Sequence, residues 1–404
     1  MSEPEKAGHV LKEGIDWVGA VDWTVRDFHG YETSRGSTYN AYLIRDEKTA
    51  LIDTVKAPFA AELLANVSAL TDLAKVDYVV CNHAEPDHAG SLPTVLAACP
   101  NAELVCDAKC RDALGLYHDT SGWRIRVVND GETIRLGRRT LQFVQTPMVH
   151  WPESMFTYVP EDKLLFSMDG FGQHLATSAR FDDLVPLDVV LAEAKTYYAN
   201  ILMLYGGPIG RTLQAAGGLD IEMIAPSHGV IWRTHLDAIL SAYADWVAMK
   251  PAAKVLVIYD TMWKSTEAMA RAICDGAAAA GAEAKLLHAR ATGGTVIATE
   301  VLDAACLAVG SPTLNATIMP QMAAVLTYLK GLRPHGKAGL AFGSYGWGAN
   351  ATKELAEYLT AMKVEVVGEP LVSQYAPNAA TLDGCRAAGA MLAEKARHLA
   401  AGNT

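Results

Sequence analysis

The sequence predicts an α/β protein of two domains, and three observations predict it. At 404 residues the chain exceeds what one ordinary core holds. Its first part carries two clusters of apolar strands, each followed by helices, the pattern of two sheets packed face to face with helices outside. After Pro251, short apolar strands alternate with helices to the end of the chain, the rhythm of a doubly wound parallel sheet of five strands. The boundary is placed at 250–253, giving domains at 1–250 and 254–402.

In the first domain the early strands are TYNAYLI, TALIDTV, DYVVCN and AELVCD, with a helix over PFAAELLANVSAL. RIRVVNDGETIRLG and RTLQFVQTP continue the strand pattern, and SMFTYVPEDKLLFSMD reads as a hairpin turning at Glu161–Asp162. LDVVLAEAKTYYANILMLY and HLDAILSAYADWVAM have the 3.6-residue period of amphipathic helices. In the second domain the strands are KVLVIYD, AKLLHA, CLAVGS, AGLAFGS and VEVVGEP. The helices are STEAMARAICDGAAAA, MPQMAAVLTYLKG, NATKELAEYLTAM and TLDGCRAAGAMLAEKARHL.

Composition removes several function classes. A net charge of −11 argues against nucleic acid, whose phosphates demand a basic face. No run of apolar residues is long enough for a membrane span, and the N-terminus lacks the basic and apolar regions of a secretory signal. Seven scattered cysteines, with no CxxC pair, do not form a disulfide framework. A reducing, cytoplasmic location is expected.

The stretch CNHAEPDHAG, directly after the strand DYVVCN, concentrates His83, Glu85, Asp87 and His88. Two imidazoles and two acids in six residues are costly to bury unless a cation compensates them. The cluster is expected on a loop before a helix that begins near Ala89, where closely spaced side chains converge. Three further candidates end strand-like segments: His150, Asp169 and His228. Seven ligands suffice for two metals, and Asp169 is the natural bridge because a carboxylate has two oxygens.

His83-x-Glu85-x-Asp87-His88, followed by His150, Asp169 and His228, resembles the metallo-β-lactamase superfamily. Its hydrolases usually carry HxHxDH and bind zinc, whereas Glu85 stands here for the second histidine. That exchange is similar to the flavodiiron proteins, and the resemblance spans essentially the whole chain. It implies an αββα metallo-β-lactamase-like sandwich followed by a doubly wound, five-stranded flavodoxin-like domain. It further implies a di-iron site with an oxo or hydroxo bridge. One iron takes His83, Glu85 and His150, the other Asp87, His88 and His228, with Asp169 between them. Oxygen-rich donors suit iron better than zinc. By the same resemblance Tyr197 is a candidate polar donor behind the ligands.

Three loops at strand ends of the second domain point to a flavin. Thr261, Met262, Trp263, Lys264, Ser265 and Thr266 precede a helix, where hydroxyls and N–H groups form a phosphate cradle, although such a cluster also serves as an ordinary helix cap. Ser311, Pro312, Thr313, Leu314 and Asn315 follow the third strand. Ser344, Tyr345, Gly346, Trp347, Gly348 and Ala349 follow the fourth, and two aromatics among glycines can stack on a flat ring. The set resembles flavodoxin and implies FMN. Gly346-x-Gly348-x-x-Ala351 matches a dinucleotide fingerprint, but it stands on the wrong strand for one.

The resemblance implies an oxidoreductase that takes electrons from rubredoxin or a similar small protein, through FMN, to the irons. O2 is reduced to water, NO to N2O, or both. It also implies a head-to-tail homodimer or dimer of dimers, with no nucleic acid or membrane partner. Two alternatives stand beside it. One is a zinc hydrolase with a flavodoxin-like accessory domain, and the other is a non-catalytic electron carrier or redox sensor.

Overall fold

The structure, a computed structural model, describes residues 10–402. It divides into two compact units. One comprises the described residues through Tyr197 together with Tyr205–Tyr243, and the other comprises Tyr198–Leu204 with the chain from Ala244 onward.

The first unit holds a seven-stranded and a five-stranded sheet. The larger runs, in spatial order, Val10–Lys12, Ile15–Trp17, Tyr42–Arg45, Thr49–Ile52, Val76–Val80, Glu103–Cys106 and Ile125–Val127. The smaller runs Thr133–Arg135, Thr140–Gln145, Met155–Val159, Leu164–Met168 and Met223–Pro226. Side chains alternate across a strand, and the central strands are apolar on both faces because both faces are covered. Tyr78 and Val80 join Ile44, Ile52, Phe143 and Phe166 in one buried cluster. Val79 and Leu104 face the other way, against Leu63, Val95 and Leu114 of the helices.

Strand direction decides where the loops emerge. Val76–Val80 pairs in parallel with both Thr49–Ile52 and Glu103–Cys106. Leu164–Met168 pairs in parallel with Met223–Pro226. Parallel neighbours end at the same edge of a sheet, so Asp169 and His228 emerge beside one another.

Two local expectations are corrected. The helix after DYVVCN starts at Pro86, not near Ala89. Pro86 occupies the first helical position, where its missing N–H costs nothing, and Glu85 is the extended cap residue. Asp87 and His88 therefore lie in a helical turn instead of a loop. The expected single helix over 187–205 is broken: an α-helix ends at Tyr197, a π-turn covers Tyr198–Leu202, and a 3-10 turn covers Met203–Tyr205. Within the second unit Asn200 is held by the Tyr328 hydroxyl at 2.7 Å and donates to the Thr295 carbonyl at 3.3 Å. Such tertiary bonds favour the wider turn over a regular one.

The second unit is a parallel sheet in the order Glu283–His288, Ala252–Tyr259, Ala304–Gly310, Ala338–Tyr345, Glu365–Val366. Its fifth position is shared. Gly368 takes a φ of 72° and Pro370 has no N–H to donate, so VEVVGEP stops after Val366. The chain re-enters as Leu371–Gln374, also parallel to Ala338–Tyr345, and the sheet has six strands where five were expected. A helix at Gly294–Asp303 was not foreseen, because paired glycines and β-branched residues mask its period.

Candidate metal centre and flavin cleft

The metal candidates converge from four segments of the first unit. Asp87 and His88 sit on the short helix after Val76–Val80, Glu85 is its extended cap, and His83 lies just before it. His150 comes from the loop after Thr140–Gln145, Asp169 directly follows Leu164–Met168, and His228 follows Met223–Pro226. His83, Asp169 and His228 are fully buried, and Asp87, His88 and His150 nearly so.

The seven side chains fall into two sets. Glu85 Oε2 lies 3.1 Å from His83 Nε2 and 3.2 Å from His150 Nε2, and Asp169 Oδ2 lies 3.3 Å from His150 Nε2. Asp87 Oδ2 lies 3.2 Å from His88 Nε2 and 3.1 Å from His228 Nε2. Asp169 turns its other oxygen to this second set, with Oδ1 3.1 Å from His88 Nε2 and 3.4 Å from His228 Nε2. Ligands bound to one ion at about 2.1 Å stand roughly 3.0 to 3.4 Å from one another, so these spacings fit a common cation in each set.

The electrostatics agree. Both oxygens of Asp87 and of Asp169, and Nε2 of His88, His150 and His228, are buried without a hydrogen-bond partner. Orphaned charge of this kind is expensive unless an ion satisfies it. Burial opposes the charge of Asp169, but His88 and contacts from His150 and His228 outweigh it and hold the carboxyl well below its usual range. Burial likewise opposes the charge of His150 and His228, yet their carboxylate neighbours push them up to about 9 and about 10. The cluster recruits positive charge, as protons or as metal.

The far nitrogens are also fixed. His83 Nδ1 donates to Glu153 Oε1 at 2.7 Å, and His228 Nδ1 donates to the Thr38 carbonyl at 2.6 Å. Each bond leaves Nε2 as a lone pair facing the centre. His29, on a hairpin turn with a φ of 55°, contacts the outer oxygen of Glu85 at 2.8 Å. Glu153, Thr38 and His29 were not singled out in the sequence, where each stands far along the chain from the ligand it touches and looks like any other polar residue. Tyr197 ends its helix buried, with its ring 5.9 Å from that of His228. Burial and the charge of Asp169 raise its hydroxyl well above the ordinary value, so it stays a donor.

In the second unit the three loops enclose a cleft of about 810 Å³. Met262, Trp263 and Ser265 line it, with Pro312, Thr313, Leu314 and Asn315, and with Ser344, Tyr345, Gly346, Trp347 and Gly348. Five expected residues do not. Thr266 Oγ1 is spent on Ser344 Oγ at 2.8 Å, tying two loops together, and Ser311 Oγ accepts the Met319 N–H at 2.9 Å. Thr261 is buried behind the cradle, where its N–H goes to Asp260. Lys264 and Ala349 sit at helix starts outside the lining. Ala316, Asn350, Tyr375 and Ala376 join it unforeseen. Trp347 and Trp263 are 96% and 88% exposed, so two aromatic faces stand at the rim. A largely apolar cleft with a hydroxyl at a helix N-terminus, Ser265, fits a phosphorylated flavin.

Known proteins match both domains. The ODP family beta lactamase model matches residues 38–229, and the flavodoxin model matches residues 257–389. The nitric oxide reductase of Moorella thermoacetica is 46% identical over 98% of this chain and 99% of its own. The rubredoxin-oxygen oxidoreductase of Megalodesulfovibrio gigas is 41% identical over 90% of this chain and 92% of its own. The crystal structure of the flavodiiron protein from Giardia intestinalis superposes with a TM-score of 0.96, at 39% identity, over the full length of both chains.

The chain belongs to the flavodiiron proteins. As a flavodiiron protein it is an oxidoreductase with an FMN domain and a di-iron domain, and the zinc-hydrolase alternative is set aside. Four imidazoles and three carboxylates, gathered as two sets with a shared aspartate, form a donor set that could hold two cations. No helix of the described residues is long and apolar enough to cross a membrane.

Proposed function

We propose that this flavodiiron protein accepts electrons from rubredoxin or a similar small redox protein and reduces O2 to water, NO to N2O, or both. The observation that supports it most is Asp169, which offers one oxygen to each of two converging sets of imidazole and carboxylate. His83, Glu85 and His150 would hold one iron, and Asp87, His88 and His228 the other. Met262, Trp263 and Ser265, with residues 312–315 and 344–348, would hold FMN. When bound, the flavin supplies electrons one at a time, and the iron pair supplies a redox-active seat for a small diatomic molecule.

The chain's own residues do the rest. Burial of the ligands keeps bulk water from the reduced centre, which limits release of partly reduced products. Glu153 and Thr38 fix the imidazoles of His83 and His228, so little rearrangement is needed as charge on the centre changes. Tyr197 offers a hydroxyl that remains protonated across the working pH range. The names of the relatives, nitric oxide reductase and rubredoxin-oxygen oxidoreductase, support both substrates and a rubredoxin-type donor. We also read the protein as cytoplasmic, since its seven cysteines are free, and as a head-to-tail homodimer or dimer of dimers.

The test is direct. Matured protein is analysed for metal and flavin, reduced without air, and mixed in a stopped-flow device with O2 and with NO separately. Two irons and one FMN per chain are expected, with flavin reoxidation by at least one gas. Zinc alone, or a reduced flavin indifferent to both gases, would end the proposal.

A further inference from the structure

The strand that leads into the flavin cradle ends on a buried acid. Asp260 directly follows Ala252–Tyr259 and is fully buried, and the cradle loop begins at the next residue, Thr261. Its Oδ1 accepts the Thr261 N–H at 2.7 Å and lies 3.3 Å from His288 Nε2. Its Oδ2 is buried with no hydrogen-bond partner among the described residues. The charge that answers it comes from Arg290, which donates through Nε to Oδ1 at 2.9 Å. The same guanidinium donates through Nη2 to the Thr261 carbonyl at 2.5 Å. Arg290 stands on the short helix Ala289–Thr292, just after the neighbouring parallel strand, so it holds the start of the cradle from the side.

Magnitudes decide what this pair does for a phosphate. Met262, Trp263 and Ser265, the cradle side chains that line the cleft, carry no charge. Lys264 stands at the N-cap of the cradle helix but is exposed, where water and salt screen it. Glu267, the acid in the first turn of that helix, is paired with Arg271 at 2.7 Å. The N-terminus of Ser265–Ala279 attracts a phosphate through its free N–H groups and about half a positive charge from the helix dipole. A bare carboxylate one residue before the loop would bring a whole negative charge and outweigh that dipole. Being buried, it would be little screened. Arg290 removes the conflict, because it cancels the charge and fixes the first carbonyl of the loop.

We propose that Arg290 is a positioning residue for the FMN phosphate, acting through Asp260 and Thr261 and not by touching the phosphate. This rests on the FMN placement given above. The consequence is selective. A phosphate dianion feels an uncompensated acid behind the cradle, whereas riboflavin, which lacks the phosphate, does not. Loss of Arg290 therefore erodes the preference for FMN over riboflavin more than it weakens flavin binding as such.

The test uses full-length protein stripped of flavin and titrated with FMN and with riboflavin, read by flavin fluorescence. Arg290 is half exposed, so its replacement opens no core, and circular dichroism checks the fold. Arg290→Gln is expected to weaken FMN about tenfold or more, as suits loss of a charged partner at a buried carboxylate, and to leave riboflavin nearly unchanged. Arg290→Lys, which keeps the charge, is expected to recover most of the FMN affinity. In an Asp260→Asn background the Arg290→Gln change is expected to cost little, because no acid remains to neutralise. FMN binding by Arg290→Gln as tight as wild type overturns the proposal. So does an equal loss for both flavins, which would give Arg290 a role in loop shape alone. So does a loss undiminished in the Asp260→Asn background, which would put Arg290 on the phosphate itself. Should Asp260→Asn not fold, the comparison of the two flavins still decides. A wild type that binds neither flavin overturns the FMN placement and this proposal with it.

Discussion

A carboxylate serves two cations only if its oxygens diverge into two separate donor sets, and Asp169 does so because of where it stands. It is the residue directly after a strand whose parallel neighbour ends at the same edge, so both its oxygens project among ligands from other segments. The imidazoles around it need equal discipline. A histidine ligates through a neutral nitrogen only when its other nitrogen has a place for the proton, and Glu153 provides that place for His83. Glu153→Gln keeps the shape but weakens the acceptor and removes a charge. It should lower metal affinity about 10- to 100-fold, read by competition with a chelator, without changing the fold seen by circular dichroism. The clustered metal candidates were legible in the sequence because four of them crowd into six residues. Glu153, Thr38 and His29 were not, because a residue that steadies another through space has no spacing to betray it.

At the scale of elements, strands were easier to read than the joints between them. Apolar runs such as VLVIY are set by burial on both faces, and the structure matches them closely. Joints depend on single residues: Pro86 starts a helix early, and Gly368 and Pro370 split the last strand position. Contact between helices is just as specific. The helices Ser265–Ala279 and Ala379–Ala400 cross through glycines, and a Cβ on Gly389 would collide with the Ile273 carbonyl oxygen. Gly389→Ala should therefore destabilise the protein by about 1 to 3 kcal/mol, despite alanine's better helix propensity, and lower the midpoint of urea unfolding. Charge also ties this domain together. Glu300 bridges Lys254 at 3.1 Å and Lys285 at 2.9 Å. Partial burial raises its carboxyl, but the two lysines outweigh this and hold it below the ordinary value of 4.5. A depressed folded pKa stabilises above the unfolded value and fades as pH falls through the folded one. Glu300→Gln should thus lower the melting temperature at pH 7, and the gap to wild type should close as pH drops below about 4.5. A gap that stays constant in acid would mean the bridge contributes shape and not charge.

For the whole molecule the open relation is between the flavin and the irons. Each lies in its own domain, and the proposed head-to-tail assembly would set the flavin of one chain beside the irons of another. Complementation separates this from transfer within a chain. Asp169→Ala removes the bridge and should leave FMN binding intact. Ser265→Glu puts a carboxylate at the start of the phosphate-binding helix and should expel FMN while leaving the irons. Neither variant reduces gas alone, because each lacks one end of the electron path. If electrons cross between chains, a mixed dimer retains one intact flavin-to-iron pair, formed by the flavin of the first variant and the irons of the second. Random reassortment makes about half the dimers mixed, with one working path of two, so about a quarter of wild-type activity should return. Reassortment would be driven by mild denaturant and checked by mass spectrometry of differently tagged chains. Mixed dimers that stay inactive, with flavin and iron contents as designed, would place both ends of the path in one chain and rule out the head-to-tail route.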